Sequence, residues 1–140
     1  MAKIYFHNAD RACRFKKKNL LKQAIEQLFY KENKPLQRLD YIFCSDDYLL
    51  TINQQHLQHD TYTDIITFDL SETSETIGEI YISLDRVKEN ASTFNTSNDT
   101  ELLRVVFHGA LHLCGYKDKT KKDSLMMRNK EEEYIQLFQS

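Results

Sequence analysis

Apolar residues along this chain follow two rhythms, one of about 3.6 residues and one of about 2, and their succession lays out the elements. Leu20, Leu21, Ala24, Ile25, Leu28 and Phe29 recur at helical spacing. That predicts an amphipathic helix over residues 19–31, with one face in need of cover. Pro35 closes the region. Residues 4–7 form a short β-prone run, and residues 39–44 (LDYIFC) read as a strand. Ser45 before Asp46 and Asp47 supplies a cap and first-turn acids to a second helix, which extends to about Leu57. Residues 64–70 (DIITFDL) and 77–84 (IGEIYISL) are β-branched and aromatic, and the polar SETSET between them predicts a hairpin.

The second half is helical. Residues 84–94 predict one helix, and Asn98 with Glu101 three residues on gives a capping-box start to another over residues 99–114. On that helix Leu102, Leu103, Val105, Val106, Phe107, Ala110, Leu111, Leu113 and Cys114 wrap nearly all round, the pattern of a central, buried helix. A final helix is expected over residues 121–138. The expected fold class is α/β (α+β). One compact domain spans residues 1–140, with a mixed sheet of about four strands and about five helices.

Composition narrows the setting. The chain has 140 residues, 41% hydrophobic and 29% charged, with one proline and three glycines, so long flexible linkers are not expected. No apolar run approaches the roughly 18 residues of a membrane span, and the N-terminal region has no signal-peptide pattern. Three widely spaced cysteines (Cys13, Cys44, Cys114) make no CxxC pair and fit a reducing compartment. A cytoplasmic protein with no membrane partner is expected. The net charge of −2 means that nucleic-acid contact would depend on local basic patches.

The candidate chemistry sits on the central helix, in HGALHLCGYKD (residues 108–118). His108 and His112, four apart, project from one helix face. Gly115 can end the helix in a left-handed cap, and the returning chain brings Asp118 toward the same face. Two imidazoles, a carboxylate and an open fourth position describe a catalytic zinc site, one Zn2+ per chain. The competing reading makes both histidines core residues bonded to backbone, and Asp118 a solvated acid among lysines. The apolar character of the helix favours ligation, because two polar rings on it need partners. A carboxylate ligand hardens the site, so manganese, nickel or iron are alternative occupants. A zinc protease would carry glutamate after the first histidine; Gly109 stands there, which disfavours peptidase chemistry.

A second concentrated segment runs from Asn53 to Phe68 and contains Asp60, Thr63 and Asp64. By propensity alone, Thr63-Asp64 is a turn before a strand. Together the segments resemble the YbeY family of bacterial endoribonucleases. HGALHLCGYKD is similar to its HGxLHLxGxDH, the middle segment to its N…D-x-PTDVLSF, and GEIYIS to its GDI strand. The resemblance implies a compact α/β domain with zinc at the end of a cleft. It also implies hydrolysis of single-stranded RNA, in 16S rRNA 3′-end processing and ribosome quality control, with the small ribosomal subunit as partner. His108 and His112 match the first two metal ligands of the family, and Asp118 stands where its third, a histidine, is found. Leu57 replaces an arginine implicated in catalysis or RNA binding, and Tyr62 replaces a proline.

Arg104, one turn before His108, is a candidate substitute for that arginine, though a helix-surface charge explains it equally well. Asp64 and His59 are candidates for the general base. Lys117, Lys119, Lys121 and Lys122, with Arg128 and Lys130, are candidate phosphate contacts or a solvated helix face. Arg11, Arg14, Lys16, Lys17 and Lys18 form a second basic cluster. Tyr116 could stack on a base or simply pack. Two other classes stay open: a non-catalytic ribosome-assembly or RNA-binding factor with a structural metal, and a general metallohydrolase. The oligomeric state is not encoded in any recognisable motif.

Overall fold

The computed structural model describes residues 3–56 and 63–140. The element order is β1 (Lys3–Asn8), α1 (Lys18–Lys31), β2 (Leu36–Cys44), α2 (Asp46–His56), β3 (Ile65–Asp69), β4 (Thr76–Ser83), α3 (Leu84–Thr93), α4 (Asn98–Leu113) and α5 (Lys121–Gln139). β1, β2 and β4 are parallel neighbours and β3 pairs antiparallel with β4, giving the sheet order β1-β2-β4-β3. Parallel pairing of β1 with β2 requires a crossover, and α1 supplies it. The β3–β4 pair closes through the expected polar hairpin, where Ser71 Oγ accepts from the Ile77 N–H at 2.9 Å. Among the described residues this is the expected α/β architecture of four strands and five helices.

The period-2 rhythm of the strands sorts the two sheet faces. Leu39, Tyr41 and Phe43 of β2 and Ile80 and Ile82 of β4 are buried in one core with α1, α4 and α5. α2 covers part of the opposite face, where Cys44, Leu49 and Ile66 form a smaller apolar cluster. α4 lies in the middle of the helical layer and packs on α1, α3, α5, β3 and β4. Its buried positions run round the helix from Leu102 to Leu113, as the sequence pattern implies. A buried phenol needs an acceptor. The Tyr41 hydroxyl finds one in the Val106 carbonyl at 2.9 Å, pinning the sheet to α4.

Gly109 lets the helix and sheet approach. A Cβ there would stand 2.9 Å from both Ile65 Cδ1 and Ile80 Cδ1. The absent side chain that argues against a peptidase therefore has a packing cause as well.

Most boundaries fall within a residue of expectation, and two differences have a visible cause. β2 begins at Leu36, because Leu36 pairs with Thr76 ahead of an irregularity between Leu36 and Arg38 that apolar periodicity does not mark. α4 is capped by Ser97, not Asn98: the Ser97 backbone is extended and its side chain accepts from the Thr100 N–H. Ser45 caps α2 as expected, accepting from the Tyr48 N–H at 3.1 Å. Among the described residues no helix is long and apolar enough to cross a membrane.

Candidate active site

α4 ends in a Schellman motif. The Tyr116 N–H reaches the Leu111 carbonyl, the Gly115 N–H reaches the His112 carbonyl (both 3.1 Å), and Gly115 has φ +106. This stop turns the chain back along α4 and brings Asp118 Oδ2 to 3.3 Å from His108 Nε2. Beside them lies a cleft of about 510 Å³, lined along α4 by Glu101, Arg104, Val105, His108 and His112. Asp64, ahead of β3, also lines it, as do Asn90 and Phe94 at the end of α3 and Arg128 and Glu131 of α5. The sequence-derived candidates His108, His112, Asp118, Asp64 and Arg104 are thus brought together. His59, with Leu57 and Tyr62, lies outside the described residues.

Each imidazole is oriented through Nδ1. His108 Nδ1 is 2.7 Å from Glu131 Oε2, and His112 Nδ1 is 3.1 Å from the Tyr116 carbonyl. A carbonyl can only accept, so His112 donates from Nδ1, and a neutral ring so bonded carries its lone pair on Nε2; the carboxylate imposes the same tautomer on a neutral His108. Burial disfavours charge on His108, but the Glu131 hydrogen bond and charge outweigh it. Asp118 and Asp64 add to that effect, raising the His108 pKa above its ordinary value. Carboxylates that favour a proton there favour any cation.

This donor set fits a divalent ion in kind. It offers two Nε2 lone pairs with tautomers fixed from behind, and a carboxylate close to one of them. The 3.3 Å gap between His108 and Asp118 matches the edge of a tetrahedron with bonds of about 2.0–2.1 Å. The two rings lie nearly parallel, with 6.4 Å between centroids. The fit is incomplete in arrangement: among the described residues no three His, Cys, Asp or Glu side chains form a metal cluster as they stand.

Glu131 and Glu101 carry roles that local sequence patterns did not mark. Glu131 is buried, placed between His108 and Arg104, whose Nη1 lies 3.4 Å from Glu131 Oε1. Arg104 also pairs with Glu132 and, at 3.8 Å, with Glu101. Its charge therefore buttresses acids. The one visible hint was Glu131 falling on the apolar stripe of Met127, Tyr134 and Ile135 on α5. Burial pushes the Glu101 carboxyl upward, partly offset by Arg104 and then reinforced by Asp64 and Glu131. Burial likewise raises the Asp64 carboxyl, with His108 opposing it. The Asp64 carbonyl accepts from the Ser83 N–H at 3.0 Å, which ties this residue to the end of β4.

The lysine candidates lie elsewhere. Lys119, Lys121 and Lys122 are exposed and do not line the His108 cleft. Lys117 lines a second pocket of about 330 Å³ with Glu32 and Tyr116. Tyr116 adopts the packed alternative: its hydroxyl donates to Glu32 Oε1 at 2.8 Å. The cations that do line the cleft are Arg104 and Arg128.

Comparison with known proteins agrees with this architecture. Residues 3–139 match the family described as Endoribonuclease YbeY. The chain is 53% identical over 114 residues to an Endoribonuclease YbeY of Flavobacterium psychrophilum, covering 81% of each. It is 46% identical over 135 residues to that of Cytophaga hutchinsonii, covering 96% of this chain and 94% of the relative. A Thermotoga maritima protein solved in solution superimposes with a TM-score of 0.67 at 34% identity, over 96% of this chain and 88% of the other. The chain therefore belongs to the YbeY endoribonuclease family.

Proposed function

We propose that this protein is a metal-dependent endoribonuclease that cuts single-stranded RNA in rRNA maturation. In finer terms, it acts in 16S rRNA 3′-end processing and ribosome quality control, with the small ribosomal subunit as partner. Family membership supports the reaction class. The observation that carries the chemistry is the Glu131–His108–Asp118 alignment, which orients one imidazole and sets a carboxylate beside its free nitrogen.

His108, His112 and Asp118 would hold the ion, with Glu131 and the Tyr116 carbonyl fixing the two imidazoles from behind. When bound, zinc or another divalent cation supplies Lewis acidity toward a phosphate oxygen. Asp64, its carboxyl raised by burial, is suited to take a proton from the attacking hydroxyl or water. Arg128, which lines the cleft, would bind phosphate, whereas Arg104 pairs with Glu131. Lys117 and Lys119 of the loop after α4, with Lys121 and Lys122 at the start of α5, would meet phosphates of the RNA outside the cleft.

The test measures bound metal and cleavage of a single-stranded RNA together, in wild type, His112→Ala and Asp118→Ala. Wild type should cut internally and lose activity to a chelator, and His112→Ala should lose both metal and cleavage. Full cleavage after complete metal removal would end this reading. Full occupancy in Asp118→Ala would remove Asp118 from the ligand set. One observation favours a second reading, a non-catalytic RNA-binding assembly factor: Arg104 is committed to three acids and does not replace the arginine missing at Leu57. That reading expects purified protein to bind RNA, less tightly as salt rises, and to leave it intact.

A further inference from the structure

The cleft is polar along α4, yet one of its lining residues is a phenylalanine with 61% of its surface exposed. Phe94 contributes nothing to the core, forgoing the stabilisation that burying such a ring gives. Nor is it loosely held. α3 stops in its own Schellman motif, with Asn95 at φ 55, the Asn95 N–H on the Ser92 carbonyl and the Thr96 N–H on the Ala91 carbonyl. The hydrophobic contact of such a cap falls on the positions occupied here by Ala91 and Thr96, so Phe94 is not needed to end the helix. The stop fixes the Phe94 backbone at the cleft rim. Asn90, one turn earlier, lines the same cleft, and Arg128 enters from α5.

An aromatic face, a carboxamide and a guanidinium opening on one cleft match the three parts of a nucleotide: base face, base edge and phosphate. We propose that Phe94 and Asn90 form a nucleobase subsite, in which one base of the bound strand stacks on the Phe94 ring while Asn90 meets its edge. This rests on the endoribonuclease reading and deepens it. It gives a physical source for single-strand selectivity, because a base within a duplex has both faces already stacked and cannot lie on Phe94. A stacking platform is tolerant of sequence, so the subsite positions the strand without dictating a motif.

The chain contains no tryptophan, so Phe94→Trp places a single reporter at the subsite. Binding is followed by anisotropy of a short labelled single-stranded RNA, with a gel confirming that it stays intact, and by emission of the new indole. A matching chain of abasic ribose phosphates serves as the base-free probe. Saturating RNA should quench the Phe94→Trp emission. Phe94→Ala, with unchanged circular dichroism, should bind RNA about tenfold or more weakly. Phe94→Trp should restore wild-type affinity, and the abasic chain should bind wild type and Phe94→Ala equally. Equal RNA affinity of wild type and Phe94→Ala, or unquenched indole in a complex that anisotropy shows to be saturated, overturns the subsite alone. Failure of wild type to bind RNA at all overturns the endoribonuclease reading with it.

Discussion

At the scale of single residues, the firmest arrangement is the file Arg104–Glu131–His108–Asp118, in which a guanidinium and an imidazole alternate with two carboxylates from the α4–α5 interface out to the loop. Glu131 is its pivot. Glu131→Gln keeps the volume and removes the charge that holds the His108 pKa up. The variant should show His108 titrating lower by NMR, and zinc affinity reduced about 10- to 100-fold in a chelator competition. Unaltered affinity would show that Glu131 merely packs. Spacing on one helix made His108 and His112 visible in the sequence, and the helix stop after them made Asp118 visible. Glu131 was not, because its partnership with His108 joins two helices and has no period to detect. Arg104 was visible but its use was not: a charge one turn from a histidine looks available until three acids from α4 and α5 are found on it.

At the scale of elements, α4 and its two ends decide where the chemistry sits. The binary pattern exposed the helix, its burial and its glycine stop, whereas the choice between two adjacent cap formers, Ser97 and Asn98, depended on backbone angles the pattern does not contain. The strand ends were similarly blurred where pairing continues past polar Arg38 and Gln37 to Leu36. Gly115 permits a clean test of the stop. At φ +106 an L side chain is strained, while a Cβ there would meet nothing within 4 Å, so the cost is purely conformational. Gly115→Ala should lower unfolding stability by about 1 kcal/mol, read from the urea midpoint. No shift in that midpoint would mean that the left-handed cap contributes nothing.

At the scale of the molecule, Glu32 ties together α1, the loop after α4 and α5. At the end of α1, it accepts hydroxyl bonds from Tyr116 of the loop after α4 at 2.8 Å and from Tyr134 of α5 at 2.5 Å, with Lys130 at 3.5 Å. Burial pushes the Glu32 carboxyl upward, but Tyr134, then Tyr116 and Lys130, outweigh it and hold it below its ordinary value. A carboxyl depressed in the folded state contributes stability that is present above its unfolded pKa, about 4.3, and is lost as pH falls through the folded value. Urea midpoints should therefore fall on acidification below about pH 4.3, and Glu32→Gln should flatten that fall. An equally steep acid limb in the variant would assign the loss to other carboxylates.

The position of α4 also sets the energy scale for moving its histidines. A helix on the surface can fray or swing at small cost, but α4 is enclosed by α1, α3, α5 and the sheet. Displacing it exposes most of the core, so its local opening and the unfolding of the domain become nearly the same event. For a domain of this size that event costs on the order of 5–15 kcal/mol. The helical segment carrying His108 and His112 thus behaves as a fixed jaw. Conformational change at the site must fall on side-chain torsions, including those of the exposed Asp118.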